Sequence, residues 1–352
     1  MFSKRSSIKK YFLGIKFLSG YAVSPNVNLI SVREDRFIDS ESGRSYRVKI
    51  LHPKSKINTK LPGVILLHGM NKQGIDDSRI LHLANIITGM GYTTILPEIP
   101  EVTELQINES TLDSVYNALC SVVERNDLFL DKRLGFFSVS FCGGIGLITI
   151  SKPKLKDNIS AIVTIGAYSH FGSTIPFVMD NYEEDNYGTC IFFHNYIDFF
   201  DKSAKNLKIY FYEAAMDNGL KRTGENAIAP KVFLTLNEKE LELYRRIHED
   251  KEFRKNLFEE FRINSKSLID YLSPINYLEK ISSSISLVHG KGDLVIPEIE
   301  SQELAKALDK LKKPYKLEIT RLLSHGDTLP IWKQIPGIPG LASAFGYFFT
   351  NI

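Results

Sequence analysis

The spacing of apolar and polar residues follows two alternating patterns along most of the chain after residue 30. Short β-rich runs, most of which end at Gly, Pro, His or Asp, predict strands. These runs are SYRVKILHP, GVILLHG, YTTILPEIP, LGFFSVS, AIVTIGAY, ISLVHGKGD and LEITRLLSHGD. Helical spacing predicts helices between them, in SRILHLANIITGMG, TLDSVYNALCSVVERN, GGIGLITIS and IESQELAKALDKLKK. The alternation predicts an α/β fold with a mostly parallel central sheet flanked by helices.

One long region interrupts this alternation. Residues 171–280 are first aromatic and irregular, then strongly charged and helical, and they contain no β-run followed by a turn. We interpret this region as a mainly helical cap or lid, with its charged helix facing solvent. The predicted organisation is therefore an N-terminal basic amphipathic segment (1–30), an α/β core (31–170 and 281–352) and the cap insertion (171–280).

The N-terminal stretch is basic and then apolar. Lys16 interrupts the apolar run and no clear small-residue cleavage site follows, so the stretch does not predict a signal peptide or a membrane span. A helix here would place apolar residues on one face, away from Lys9 and Lys16. They are Ile8, Tyr11, Phe12, Ile15 and Leu18. Two interpretations stay open: a helix packed on the protein body, or peripheral membrane contact through residues 1–20.

Composition narrows the possible partners and location. A chain of 352 residues with 43% hydrophobic content can bury a large core. The net charge of +3 comes from charges mixed along the chain, which argues against a nucleic-acid partner. Cys120, Cys142 and Cys190 are too few and too widely spaced for a disulfide framework or a four-ligand zinc site. A reducing, cytoplasmic location is expected.

The stretch RLGFFSVSFCGGIGL contains a candidate nucleophilic serine. A sharp turn from strand to helix exposes a serine when the residues two before and two after it are small, as in G-x-S-x-G. Ser140 fits this position, because the strand pattern ends just before it and two glycines begin a helix just after it. Ser138 and Cys142 replace the outer glycines and crowd the turn. Cys142 is an alternative nucleophile, but at the helix start it would point away from a base.

A serine nucleophile needs a general base and an acid that orients the base. Asp293 follows the β-run in LVHGKGDLVIP, and His325 follows the next run in RLLSHGDTLP. This gives the chain order Ser, Asp, His, with His325 as base and Asp293 as orienting acid. His289 competes as the base, but it lies on the strand side of its loop. Asp327 competes as the acid, but it is too close in sequence to His325 to orient it easily.

Acyl transfer also requires hydrogen-bond donors that stabilise the negative charge developing on the carbonyl oxygen. The run GVILLHGMNKQG predicts a strand that ends at His68, after which the chain turns. We assign one donor to the backbone N–H of Met70 and the other to that of Phe141. His68 is interpreted as a structural residue that holds the shape of this loop.

These motifs resemble those of a known superfamily. LLHGM, RLGFFSVSFCGG, SPINYLEKI before SLVHGKGDLVIP, and LLSHGD are similar to segments of the α/β-hydrolase superfamily, in particular its dienelactone-hydrolase-like and esterase-type bacterial members. The resemblance covers about residues 35–170 and 270–335. It implies an α/β-hydrolase fold and hydrolysis of a carboxylic ester or related acyl bond. It also implies a triad of Ser140, Asp293 and His325, with no cofactor.

The substrate and the reaction leave alternatives open. The cap segments IPFVM and CIFFHNYIDFF predict an apolar roof, which favours a small-molecule ester with an apolar acyl group. An acyltransferase or thioesterase could use the same triad with a different acceptor. A non-catalytic α/β-hydrolase-like protein could use the pocket to bind a ligand.

Overall fold

The computed structural model describes residues 2–222, 224–323 and 337–352, and within these ranges eight strands form one sheet. The strands are β1 (Ile30–Ile38), β2 (Ser45–Pro53), β3 (Leu61–Leu67), β4 (Thr93–Pro97), β5 (Phe129–Val139), β6 (Ile159–Ile165), β7 (Ser284–Gly290) and β8 (Tyr315–Thr320). Their spatial order is β1-β2-β4-β3-β5-β6-β7-β8. Strand β2 pairs antiparallel with both β1 and β4, and the other six strands, in the spatial order β4-β3-β5-β6-β7-β8, pair in parallel. The predicted mostly parallel sheet is confirmed.

Helices fill the connections between the strands. They are α1 (Phe2–Ala22), α2 (Ser78–Gly89), α3 (Pro100–Thr103), α4 (Glu109–Val123), α5 (Phe141–Ile150), α6 (Pro153–Lys156), α7 (Phe171–Asp180), α8 (Tyr187–Phe200), α9 (Lys205–Met216), α10 (Ala229–Phe233), α11 (Glu238–Glu249), α12 (Lys251–Asn264), α13 (Lys266–Tyr271), α14 (Glu298–Lys310) and α15 (Ile338–Thr350). Short 3₁₀ turns cover Val27–Leu29, Lys54–Lys56, Gly74–Asp76 and Pro274–Lys280. Polar side chains begin several helices: Asp77 accepts a hydrogen bond from the first turn of α2, and Asn108 does the same for α4.

Both faces of the sheet are covered, as predicted. Helices α4, α5 and α14 pack on one face, where Val115, Ile145 and Leu304 belong to the main hydrophobic core. Helices α1, α2 and α15 pack on the other face around a second core. Phe17 of α1 is completely buried there, and burying such a side chain contributes about 1.5–3 kcal/mol. None of the described helices is both long enough and apolar enough to span a lipid bilayer.

The region between β6 and β7 is helical in its described residues and comprises α7 to α13. We call the described residues from Phe171 to Tyr271 the insertion. Its interior contains the fully buried Arg254, whose guanidinium donates to the carbonyls of Met179, Ile247 and His248. These bonds join α12 to α7 and α11. Most of the buried apolar residues of the insertion belong to the main hydrophobic core.

Candidate active site

Ser140 lies in the sharp turn between β5 and α5. Its backbone has φ 56° and ψ −143°, a conformation that costs free energy in any residue with a Cβ atom. Two backbone hydrogen bonds hold it there. The Ser140 N–H donates to the Ile165 carbonyl (2.7 Å), and the Gly143 N–H donates to the Ser140 carbonyl (2.8 Å). The surrounding structure thus fixes a strained, half-buried serine at the carboxyl end of β5.

Alanine usually makes a protein more stable than glycine does at the same position. The strain at Ser140 predicts the opposite order for two variants that both lack the hydroxyl group. The free energy of unfolding of the Ser140→Gly variant should be about 1 kcal/mol higher than that of Ser140→Ala, because only glycine adopts this conformation without strain. Urea unfolding of the two proteins measures the difference. The matched pair is Ser110→Gly and Ser110→Ala in the first turn of α4, where glycine should be the less stable variant. Equal stability of the two Ser140 variants would contradict strain at this turn.

The glycines after Ser140 let α5 approach the chain that leaves β6. A Cβ atom added to Gly143 would lie 2.8 Å from the Ala167 Cβ, and one added to Gly144 would lie 2.2 Å from Tyr168 Cε1. Tyr168 in turn stacks on Phe141, with ring centroids 4.5 Å apart and an interplanar angle of 12°. Close packing therefore fixes the residue that follows the nucleophile candidate.

Ser138 and Cys142 flank the turn, and both side chains are fully buried. Among the described residues, the Ser138 Oγ has no hydrogen-bond partner. Burial raises the pKa of the Cys142 thiol to about 12, so the thiol is protonated at neutral pH. A buried, protonated thiol is a poor nucleophile, which argues against Cys142 as the alternative to Ser140.

Asp293 lies in the loop that follows β7 and is almost completely buried. Its Oδ1 accepts hydrogen bonds from the backbone N–H groups of Val295 (2.8 Å) and Ile296 (3.1 Å). Its Oδ2 lies 3.8 Å from Nε2 of His289. The loop therefore fixes the orientation of the carboxylate.

His289, which belongs to β7, is fully buried and holds this loop from inside. Its Nε2 donates to the Ile296 carbonyl (2.8 Å), and its Nδ1 pairs with the hydroxyl of Ser301 in α14 (2.7 Å). These contacts join the Asp293 loop to α14. They fit a structural role for His289 better than a role as general base.

His325 and Asp327 lie outside the described residues, as do the other positions from 324 to 336. Ser140 and Asp293 follow β5 and β7, which are separated only by β6. The spacing of strands in a sheet puts these two strands about 10 Å apart. Ser140 and Asp293 therefore lie at the same edge of the sheet, and the described chain after β8 passes Gly290, at the end of β7, at Leu323.

The loop after β3 passes directly beside Ser140. A Cβ atom added to Gly69 would lie 3.5 Å from the Val139 Cγ2 and 4.0 Å from the Ser140 Cβ. Met70, the next residue, is buried. The two residues assigned as backbone donors, Met70 and Phe141, thus lie on the two chain segments that border Ser140.

His68 is buried beneath this loop, and described groups contact both of its ring nitrogens. Its Nδ1 donates to the Gly69 carbonyl (2.9 Å), while its Nε2 accepts from the Ile99 N–H (3.2 Å). Burial lowers its pKa to about 4, which keeps the ring neutral. A neutral ring with one donor and one acceptor nitrogen matches these contacts. His68 joins the loop after β3 to the chain after β4.

The insertion contacts loops at this same edge of the sheet. The Tyr187 hydroxyl of α8 donates to the Met70 carbonyl, and the Tyr196 hydroxyl donates to the Ile107 carbonyl in the chain after β4. Burial raises the pKa of Tyr187 above its ordinary range, which keeps its hydroxyl a donor. The insertion is therefore joined to the loop that borders Ser140. No local sequence signal indicated the contact between Tyr187 and Met70, since 117 positions separate them.

Most apolar side chains of the two segments expected to form a roof lie inside the insertion. Phe192 packs against the rings of Phe258 and Phe261, with centroids 6.0 and 5.3 Å away. The described aromatic residues beside Ser140 are instead those around Phe141, which lies 4.5 Å from Tyr168 and 6.2 Å from Phe171 between ring centroids. Phe192 therefore packs inside the insertion, whereas Tyr196 of the same segment lies 6.3 Å from Phe171 between ring centroids, so the apolar roof stays a prediction.

The described residues form no metal site, and one cavity lies at the opposite edge of the sheet. Across the described ranges, no three His, Cys, Asp or Glu side chains are grouped closely enough to hold a metal ion. A cavity of about 380 Å³ is lined by residues that include Lys60, Thr93 and Leu128. These residues lie at the amino ends of β3, β4 and β5, so this cavity is at the edge opposite to Ser140.

Comparison with known proteins supports the assignment of the fold. The sequence matches no protein-family model and no curated protein. The structure is similar to esterase B from Lactobacillus rhamnosis, with a TM-score of 0.53, 12% identity and coverage of 95% of this chain and 92% of that one. It is also similar to brefeldin A esterase, a bacterial homologue of human hormone sensitive lipase (TM-score 0.51, 12% identity, coverage 95% and 86%). The chain has the α/β-hydrolase fold.

The α/β-hydrolase fold also accounts for similarity to longer proteins. Pyrococcus horikoshii acylaminoacyl peptidase matches with a TM-score of 0.50 and 13% identity, over 92% of this chain. The chain spans only 40–42% of the acylaminoacyl peptidases that it matches. The resemblance noted in the sequence is confirmed at the level of the fold.

Four of the predicted site residues occupy one edge of this α/β-hydrolase fold. Met70 follows β3, Ser140 and Phe141 follow β5, and Asp293 follows β7. Ligands of open α/β sheets bind at the carboxyl ends of the strands, which is the edge these residues share.

Proposed function

We propose that the protein is a serine hydrolase that cleaves a carboxylic ester or a related acyl bond. Ser140 is the nucleophile, His325 the general base, and Asp293 the residue that orients the base. The observation that carries this proposal is the strained backbone of Ser140 at the carboxyl edge of the sheet. Strain of this kind persists only where the surrounding structure enforces it, and it exposes a side chain at a sharp turn.

The reaction proceeds through two acyl transfers. The Ser140 Oγ attacks the acyl carbon while His325 accepts the hydroxyl proton. The tetrahedral intermediate collapses to an acyl-enzyme, and the alcohol leaves with the proton that His325 returns to it. Water then attacks the acyl-enzyme by the same path, and the free acid is released.

The fixed carboxylate of Asp293 supports the role of orienting acid. Two backbone N–H groups hold its Oδ1, so the second oxygen has a set direction. A fixed carboxylate keeps the imidazole in the productive tautomer and stabilises its cation. Because this carboxylate is nearly buried, its field on an imidazolium is only weakly screened.

The backbone N–H groups of Met70 and Phe141 stabilise the oxyanion in this proposal. Two contacts support their preorganisation. The Tyr187 hydroxyl restrains Met70 through its carbonyl, and the stacking of Tyr168 restrains Phe141. Donors held in place before the reaction cost no reorganisation when the negative charge develops.

We assign a small-molecule ester with an apolar acyl group as the substrate. Phe141, Tyr168 and Phe171 form an aromatic cluster next to the turn that carries Ser140. In this proposal residues 171–280 act as a cap over the core formed by residues 31–170 and 281–352. The hydrogen bonds of Tyr187 and Tyr196 to loops at the carboxyl edge support that role.

Labelling with a fluorophosphonate tests the proposal, because this reagent reacts with activated serines. The native protein should be labelled at Ser140, as determined by peptide mapping, and protein unfolded in urea should not react. The same preparation should hydrolyse nitrophenyl esters of medium acyl chains faster than the acetate. If the folded protein is not labelled, or is labelled at another serine, Ser140 is not the nucleophile. If the rate of hydrolysis does not depend on acyl length, the proposal of an apolar acyl group is wrong.

A further inference from the structure

Helix α1 has apolar side chains on two opposite sides, and the described residues bury only one of them. The inner side packs on α15 and the sheet. Phe17 is completely buried, with its ring centroid 4.4 Å from Phe345 and 6.0 Å from Phe137. We call the opposite side of α1 the outer face and define it by Ile8, Tyr11, Phe12 and Ile15.

Glycines fix α1 firmly on α15. A Cβ atom added to Gly14 would lie 1.9 Å from the Ala342 carbonyl oxygen. One added to Gly346 would lie 1.9 Å from the Lys10 carbonyl oxygen. Since each backbone contacts the other helix where no side chain fits, α1 cannot rotate to bury its outer face without losing this packing.

The outer face is a continuous apolar strip. The exposed fractions are 70% for Ile8, 44% for Tyr11, 67% for Phe12 and 46% for Ile15. With 3.6 residues per turn, these four positions fall within an arc of about 100°. Isolated exposed apolar residues are ordinary on protein surfaces, but a strip of four large ones on a single helix indicates an interaction surface.

The charged residues of α1 are all basic. The basic residues within positions 1–33 are Lys4, Arg5, Lys9, Lys10, Lys16 and Arg33. The first acidic residue of the chain is Glu34, and the rest of the chain carries more acidic than basic residues. Lys9 and Lys16 are exposed on α1, where Lys16 also donates to the Met90 carbonyl (3.2 Å). The positive charge of the protein is thus concentrated on the segment that exposes the apolar strip.

We propose that the outer face of α1 docks on the surface of an anionic lipid bilayer. The helix lies parallel to the surface, its outer apolar side chains enter the boundary between headgroups and acyl chains, and its lysines pair with anionic headgroups. The inner side stays packed on α15. The charge distribution favours a lipid surface over a second copy of the chain, because symmetric pairing would bring two basic segments together.

Sedimentation with vesicles tests this proposal on the full chain. The protein should bind vesicles of phosphatidylglycerol and phosphatidylcholine at least about 10-fold more tightly than vesicles of phosphatidylcholine alone, and 0.5 M NaCl should release most of it. The double variant Ile8→Asp/Phe12→Asp should lose at least about 10-fold of this affinity. Because Ser140→Ala protein should bind as the natural chain does, the outcome does not depend on the proposed hydrolase activity.

A matched double variant controls for surface hydrophobicity in general. Leu234 and Ile263, on the insertion, are 84% and 69% exposed. Leu234→Asp/Ile263→Asp should leave vesicle binding unchanged, and both double variants should unfold in urea at the midpoint of the natural chain. Equal loss in the two variants, or no binding of the natural chain to anionic vesicles, would overturn the proposal. A dimer that Ile8→Asp/Phe12→Asp dissociates, without vesicle binding, would assign the outer face to a second copy instead.

Discussion

Replacing Ser140 by alanine should lower kcat/KM for ester hydrolysis by about 10⁴-fold or more. The loss follows from the removal of the only atom that forms the acyl-enzyme in the proposed mechanism. The free energy of unfolding should change little, because alanine keeps the Cβ atom and leaves the strained backbone and its two hydrogen bonds in place. Initial rates with a nitrophenyl ester and urea unfolding measure the two quantities.

Ser138→Ala is the matched control for this variant. It removes a hydroxyl from the same strand, two residues earlier, where the side chain is fully buried and its Oγ has no described partner. Removing an unpaired buried hydroxyl does not weaken the core, so activity and stability should both stay close to those of the natural chain. If the Ser140→Ala protein keeps more than a tenth of the activity, Ser140 is not the nucleophile. Equal losses in both variants would indicate damage to the turn instead.

Replacing Asp293 by asparagine should lower kcat by about 10³- to 10⁴-fold. The amide oxygen of asparagine can still accept the N–H groups of Val295 and Ile296, so the loop should keep its shape. The amide group cannot stabilise an imidazolium, and it favours the wrong tautomer of the base. The fall should therefore appear in kcat, with KM nearly unchanged, in steady-state measurements.

Asp250→Asn provides the control for this substitution. Asp250 is exposed and begins α12, where its side chain accepts a hydrogen bond from the Phe253 N–H (2.9 Å). Asparagine is as good a residue at this position, so the variant should keep full activity. If Asp293→Asn lowers kcat less than about 10-fold, Asp293 does not orient the base, and the acid must be sought elsewhere.

Local sequence patterns predicted every described strand of the sheet except β1. The run SYRVKILHP coincides with β2, and the other predicted runs overlap β3 to β8. Strand β1 was missed, because its central residues Arg33 to Arg36 are charged and this edge strand exposes most of its side chains to solvent. Its pairing with β2, rather than its own composition, decides its conformation.

Only those parts of the candidate site that depend on local sequence patterns could be predicted. The glycines after Ser140 and the ends of β3, β5 and β7 placed four residues at one edge of the sheet from sequence alone. Contacts between segments that are distant in the sequence cannot be read from local patterns. The hydrogen bond from Tyr187 to Met70 is such a contact. The N-terminal helix shows the same limit. The sequence left open packing on the body or peripheral membrane contact, and α1 packs on the body through the side opposite to its exposed apolar residues.

The packing of α1 on α15 also constrains the order of events during synthesis. Nearly the whole described chain separates Gly14 from Ala342, so the ribosome makes α1 long before its docking site exists. Until α15 is complete, Phe17 and the sheet residue Phe137 lack the Phe345 ring that packs on both of them. A nascent chain with uncovered apolar surface is prone to aggregate or to bind chaperones. This face of the sheet can therefore close only after α15 has emerged from the ribosome.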